Sequence, residues 1–162
     1  MGRFILALAA LAALIASPAM ADRRGGGVAD PRAFVAETYA AYARAPNDPP
    51  PEPVHVYSER LISLFTVYQV WARAHQDLVG SLDFDWWVNA QDWSISRVRL
   101  TQRDAGPARR IVTARWRNYD RDDSSRFVFV RAHRRWHLDD VVNGSGSGEH
   151  GWTLTALLRE RP

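Results

Sequence analysis

Arg110 to Asn118 reads RIVTARWRN, and the way its side chains alternate sets the reading of the whole chain. Val112, Ala114 and Trp116 fall on one face of an extended segment, while Thr113, Arg115 and Arg117 fall on the other. That is the period of two expected for a strand with one face buried and one in water. Similar runs lie on either side. Trp93 to Thr101 starts in phase at Trp93 and Ile95 and then slips to Val98 and Leu100, which predicts a β-bulge near Ser96 and Arg97. Arg103 to Pro107 (RDAGP) is turn chemistry. Asp120 to Ser125 reads as a charged hairpin loop, followed by Arg126 to Arg131 with Phe127 and Phe129 opposed to Val128 and Val130. Ala132 to Arg135 turns the chain into Trp136 to Val142, where Trp136 and Leu138 share a face. These runs predict an antiparallel meander of four strands. The glycine-rich Gly144 to Gly151 (GSGSGEHG) reads as a loop, and Trp152 to Arg159 as a short closing helix presenting Leu154, Leu157 and Leu158.

Upstream of the meander the period changes to that of helices. Asp30 is placed to cap a helix that starts at Pro31 and runs to about Arg44, with Phe34, Val35, Thr38, Tyr39 and Tyr42 down one side. Pro46 to Pro53 (PNDPPPEP) reads as an extended connector. Ser58 can cap a second helix in which Leu61, Leu64, Phe65, Tyr68, Trp71, Ala72 and His75 recur at helical spacing, with Gly80 as its terminator. His75, on that stripe, is expected to be a hydrogen-bonded residue at the core edge. Helices followed by a meander give an α+β class. A bulged strand curves a sheet, and a long amphipathic helix laid in the concavity would make a cone with an internal pocket.

Residues 1–21 have the layout of a secretory leader: Arg3, an apolar stretch from Phe4 to Ile15, and Ala19-Met20-Ala21 as cleavage site. The expected organisation is therefore a cleaved leader, an N-terminal helix with its proline-rich connector over 22–53, and an α+β cone domain over 54–162. No later apolar run approaches the roughly 20 residues that a membrane span needs, so no anchor is expected after cleavage. The expected location is the periplasm or the medium. The chain has no cysteine, which excludes a disulfide framework, a thiol nucleophile and a lipidated cysteine. Its cations are all arginines, and residues 93–138 carry 12 of them against 4 acids. In a cytoplasmic protein that excess would suggest nucleic acid. Export argues against it, leaving either a solvated sheet face or a surface, including Arg115 and Arg117, that meets an acidic partner.

Between the second helix and the first strand lies Leu82 to Trp93, LDFDWWVNAQDW, where acids and amides alternate with large aromatics. Asp83, Asp85, Asn89 and Asp92 are oxygen ligands within a short span, but an EF-hand needs a glycine and a terminal glutamate that are missing, so no metal is expected. A carboxylate held in an apolar pocket can act as a general base without a cofactor, and Asp85 or Asp140 would be the candidate. The alternative is that such carboxylates accept backbone and arginine hydrogen bonds and fix the loop. His137, on the opposite face from Trp136, is expected in solvent. Of the seven tryptophans, Trp71, Trp116 and Trp136 sit on apolar faces. Trp86 and Trp87 cannot both point inward from a strand, so one is expected at a pocket mouth or the surface. The expectation is a non-catalytic module that binds a small polar ligand or a protein partner through Asp85, Trp86, Asn89, Gln91, Asp92 and Asn118, with no cofactor.

Four ordered blocks, LFTVYQVW (64–71), LDFDWWVNAQDW (82–93), RWRNYDRDD (115–123) and RWHLDDVVNGSGSGEHGWTLTALL (135–158), resemble the bacterial exported domain-of-unknown-function (DUF) 3828 family. That family is grouped with the nuclear-transport-factor-two-like, cystatin-like cones. The resemblance implies a fold over Tyr57 to Arg161 and carries no catalytic residues with it. Fold-level likeness leaves function open.

Overall fold

In a computed structural model, residues 26–144, 146 and 151–160 are described. The chain runs from a first helix α1 (Pro31–Arg44) through a 3-10 turn (Val54–Val56) to a second helix α2 (Glu59–Ala74). Five strands follow: β1 (Ile95–Asp104), β2 (Arg109–Asn118), β3 (Arg121–Ala132), β4 (Arg135–Gly144) and β5 (Gly151–Thr153). A one-turn helix α3 (Leu154–Leu157) ends the described chain. The class is α+β, with an open antiparallel sheet in the order β1-β2-β3-β4-β5. None of the described helices is long and apolar enough to cross a membrane.

Local chemistry explains both ends of α1. Asp30 Oδ1 accepts from the backbone N–H groups of Arg32 (2.9 Å) and Ala33 (3.2 Å), with Pro31 in the first turn. Val35, Tyr39 and Tyr42 are the buried stripe. Tyr39 packs on Trp116 with ring centroids 5.0 Å apart, and against Phe127 at 6.1 Å. So α1, rather than the longer α2, covers the inner face of the sheet. That corrects the expectation that the long amphipathic helix would lie there. Ser58 Oγ caps α2 by accepting from Leu61 N–H. Only Leu61 and Tyr68 of α2 are buried, and the helix meets the sheet mainly through β4. It stops at Ala74, not at Gly80. Gly80 has a different use, because a Cβ there would collide with the Tyr68 hydroxyl, which accepts from Leu82 N–H.

The bulge in β1 falls between Ser96 and Arg99, where the phase slip predicts it. Three details differ from expectation. The β2-β3 hairpin turns at Tyr119 and Asp120, so Asp122 and Asp123 are strand residues paired with Arg117 and Trp116. Among the described residues the sheet has five strands instead of four, since Gly151–Thr153 pairs with Val142–Gly144. The closing helix is correspondingly shorter. The predicted glycine loop lies largely outside the described residues.

Beyond β5, the same edge of β4 is covered by two single bridges. Val28 pairs with Trp136, and Tyr57 with Leu138. The exposed row of N–H and C=O groups that invites pairing with other chains is thereby closed along β4. The other edge, β1, is protected by charge instead, with Arg97, Arg99, Arg103 and Asp104 exposed along it. His137 is half-buried beneath Gly27, not in solvent, and its Nε2 has no hydrogen-bond partner among the described residues. His75 is exposed, stacked on Trp71 at 5.2 Å, with Nδ1 2.9 Å from the Trp71 carbonyl.

Candidate functional site

The acidic-aromatic stretch is a tight turn closed by its own backbone. Asp85 N–H donates to the Ala90 carbonyl (3.0 Å) and Ala90 N–H returns to the Asp85 carbonyl (3.3 Å). Asp85 Oδ1 also accepts from Trp87 N–H at 2.9 Å. Asn89 takes the left-handed φ of 53° that completes the turn, a conformation asparagine tolerates better than most residues. In a turn the alternation rule for strands does not apply. Trp86, Trp87 and Val88 therefore all point inward, and the two indoles stack at 4.6 Å. Neither indole is at the surface, with Trp86 and Trp87 6% and 2% exposed, but Trp86 lines the wall of a groove.

The six residues singled out from sequence have separate fates. Asp85 Oδ2 accepts from the Tyr42 hydroxyl at 2.7 Å. Asn89 bridges strands β3 and β5: its Nδ2 donates to Asp123 Oδ2 (2.8 Å), its Oδ1 accepts from Trp152 Nε1 (2.8 Å), and its carbonyl accepts from Arg121 (3.0 Å). Asn118 accepts from Ser94 N–H and donates to the Asp92 carbonyl, tying the loop to the start of β1. Gln91 is exposed and donates to the Asp83 carbonyl, and Asp92 is exposed. Asp140, the other carboxylate considered as a base, accepts from Thr155 N–H and Oγ1. Of the six, Trp86 lines a groove.

That groove, about 320 Å³, runs between the proline-rich segment and the first turns of α2. Its walls include Glu52, Tyr57, Ile62, Phe65, Gln69 and Trp86, and Asp85 lies near enough to Glu52 for its charge to act on it. Tyr57 stacks on Phe65 with centroids 5.6 Å apart and planes 15° apart, and Trp86 stands 6.4 Å from Tyr57 and 6.3 Å from Phe65. Three aromatic rings thus form an apolar bed. The Tyr57 hydroxyl is buried and has no hydrogen-bond partner among the described residues. A buried, unpaired hydroxyl carries a desolvation penalty that a donor or acceptor from outside would relieve.

Glu52 supplies the charge. Much of its surface meets solvent, yet burial of its carboxyl and then the nearby negative charge of Asp85 push its pKa up to about 7, against a lowering hydrogen bond with the Trp87 side chain. Asp85 is also raised, by burial, against the opposing hydrogen bonds of the Tyr42 hydroxyl and the N–H groups of Trp87 and Val88. Burial followed by Asp85 holds Tyr42 well above its ordinary range, so Tyr42 remains a neutral donor. Tyr39 is raised likewise by burial and then by Asp123 and Asp85, and donates to the Trp87 carbonyl at 2.7 Å. Two carboxyls in one low-dielectric neighbourhood each make the other harder to ionise.

Glu52 and Tyr57 did not stand out in the sequence reading. The one signal for Glu52 is its position as a lone acid inside PPPEP, and for Tyr57 its place immediately before the cap Ser58. A larger hollow of about 830 Å³ lies beside Gly26–Asp30, lined also by Phe34, Glu37, His55 and Arg135. Among the described residues, no group of three or more histidines and acids is placed to hold a metal. Comparison with protein-family models, curated proteins and solved structures finds no match to this chain.

Proposed function

We propose that this is an exported, non-catalytic binding module that takes a small ligand in the Glu52–Trp86 groove. A ligand with a flat apolar body and one polar, donor-bearing end fits its chemistry. The body lies on Tyr57, Phe65 and Trp86, and the polar end meets Glu52 and, once a small rotation of the ring uncovers it, the Tyr57 hydroxyl. The observation that carries this is the unpartnered, buried Tyr57 hydroxyl in a wall that Glu52 shares. The curved, cone-like sheet of the family it resembles would place such a groove at the rim of the inner face.

Benzylamine and other small aromatic amines are suitable probes, followed by ligand-observed NMR. Saturable binding is expected, lost in Glu52→Gln and weakened about tenfold or more in Tyr57→Phe. Tyr57→Phe should at the same time raise stability by roughly 1 kcal/mol, because it removes an unsatisfied buried hydroxyl. Wild-type amine affinity in both variants would sink the proposal. A second reading has one observation in its favour, the carboxyl of Glu52 near 7 beside Asp85, which suits a general base for a cofactor-free proton transfer. Exchange of α-protons in small ketones, dependent on Glu52, would favour that reading over simple binding.

A further inference from the structure

A second, chemically different hollow lies on the outer face of the sheet, near the β1 edge. It measures about 440 Å³ and is lined by Arg97, Arg99, Arg115, Asp122, Asp123 and Ser124. Arg99 and Arg115 are direct cross-strand partners. Like charges placed opposite one another destabilise an antiparallel pair unless something neutralises them. Among the described residues, neither guanidinium has a hydrogen-bond or ion-pair partner, and Arg97 has none either.

The two acids do not fill that need. Asp122 stands 3.8 Å from Arg117. Asp123 accepts from Ser124 N–H (2.7 Å), Asn143 (3.0 Å) and Asn89 (2.8 Å), and lies 3.4 Å from Arg121. Asp123 is engaged by Ser124, Asn143, Asn89 and Arg121, and Asp122 makes only a long, exposed pair with Arg117, so three guanidinium groups meet two acids in one hollow, an excess of positive charge beside a Ser124 hydroxyl with no hydrogen bond among the described residues.

Backbone geometry adds an independent observation. Arg97 is in the left-handed region, with φ of 53°, inside the β1 bulge that sets Arg97 and Val98 opposite Trp116. A glycine would occupy this position without strain, whereas a long charged side chain does so at a cost. Bulges re-aim side chains, and this one turns Arg97 into the same hollow as Arg99 and Arg115. Protecting an edge strand from aggregation needs charge but does not require three cations to converge.

We infer that this outer-face hollow binds a small oxyanion, a carboxylate or a phosphate, through the planar forks of Arg97, Arg99 and Arg115. Arginine presents paired N–H donors that match two oxygens of one such group, which a compact ammonium cannot do. The site is separate from the Glu52 groove and does not depend on it.

Titration calorimetry of the full chain with inorganic phosphate and, separately, citrate, at low and constant ionic strength, tests this. One saturable site is expected for at least one of the two, and which of them binds more tightly tells phosphate from carboxylate. Arg115→Gln and Arg99→Gln should each weaken binding about tenfold, with thermal stability unchanged or higher. Arg73→Gln, on α2, should bind as the parent does. Arg97→Gly separates a structural role from binding: it should raise the melting temperature while lowering anion affinity. An equal response to chloride, no saturable heat with either anion, or unchanged affinity in Arg97→Gly and Arg115→Gln would overturn the assignment.

Discussion

The hydrogen bond from the Tyr42 hydroxyl to Asp85 does two things at once: it anchors α1 to the turn below the groove, and it stabilises a buried carboxylate. Asp85→Ala removes the acceptor for both Tyr42 and Trp87 N–H, and should cost about 1–3 kcal/mol in urea unfolding. Asp85→Asn keeps one acceptor oxygen but removes the charge that Glu52 feels. The Glu52 carboxyl should therefore titrate below about 7 in that variant, as followed by carbon-detected NMR. Trp87 sits 2% exposed between Trp86 and Phe127, stacked on both. Its replacement by alanine is expected to cost about 3–5 kcal/mol, a core truncation and not a loss of binding alone.

Elements differ in how firmly they are held, and the pattern follows from what each one buries. The β2, β3 and β4 strands share long registers and carry Trp116, Phe127, Phe129 and Leu138 into the core. Helix α2 buries two residues and leaves Val67 and Val70 exposed. One firm attachment lies at its start, where Arg60 and Ser58 meet Asp139 at 2.8 and 2.7 Å. Amide hydrogen exchange should accordingly be fastest towards the C-terminal half of α2 and slowest in β2 and β3. Asp139→Ala should extend fast exchange to the first turn of α2. Comparable protection across α2 and β3 would contradict this account.

For the molecule as a whole, the titrating groups set opposite limits. Glu52 is raised from its ordinary 4.5 to about 7 in the folded state, so the native protein holds that proton more tightly than the unfolded chain. Its contribution is complete below about 4.5 and is lost as pH rises through about 7; Asp85 acts in the same direction. Asp139 behaves oppositely. Burial tends to raise it, but hydrogen bonds from Arg60 and Ser58 and the charges of Arg60 and Arg109 outweigh this and lower it below 3.8. Its contribution is present above that value and lost as pH falls through the depressed one. Melting temperature should then peak in mildly acidic solution and decline towards neutrality, with a shallower decline in Glu52→Gln. A flat profile between pH 5 and 8 in the parent would contradict the raised carboxyl.

What the sequence determined by itself was whatever depends on near neighbours along the chain. The caps Asp30 and Ser58, the side-chain alternation of β2 and the bulge after Ser96 are all legible, because each is a local match between side-chain chemistry and backbone geometry. The tertiary structure alone decided which helix covers the sheet, that a three-residue strand closes it, and that Trp86 and Trp87 both point inward. It also decided the two hollows. Glu52 owes its raised pKa to burial and to Asp85, far along the chain, and Arg99 meets Arg115 only through strand pairing. Such juxtapositions depend on register and packing between distant segments, which no local pattern encodes.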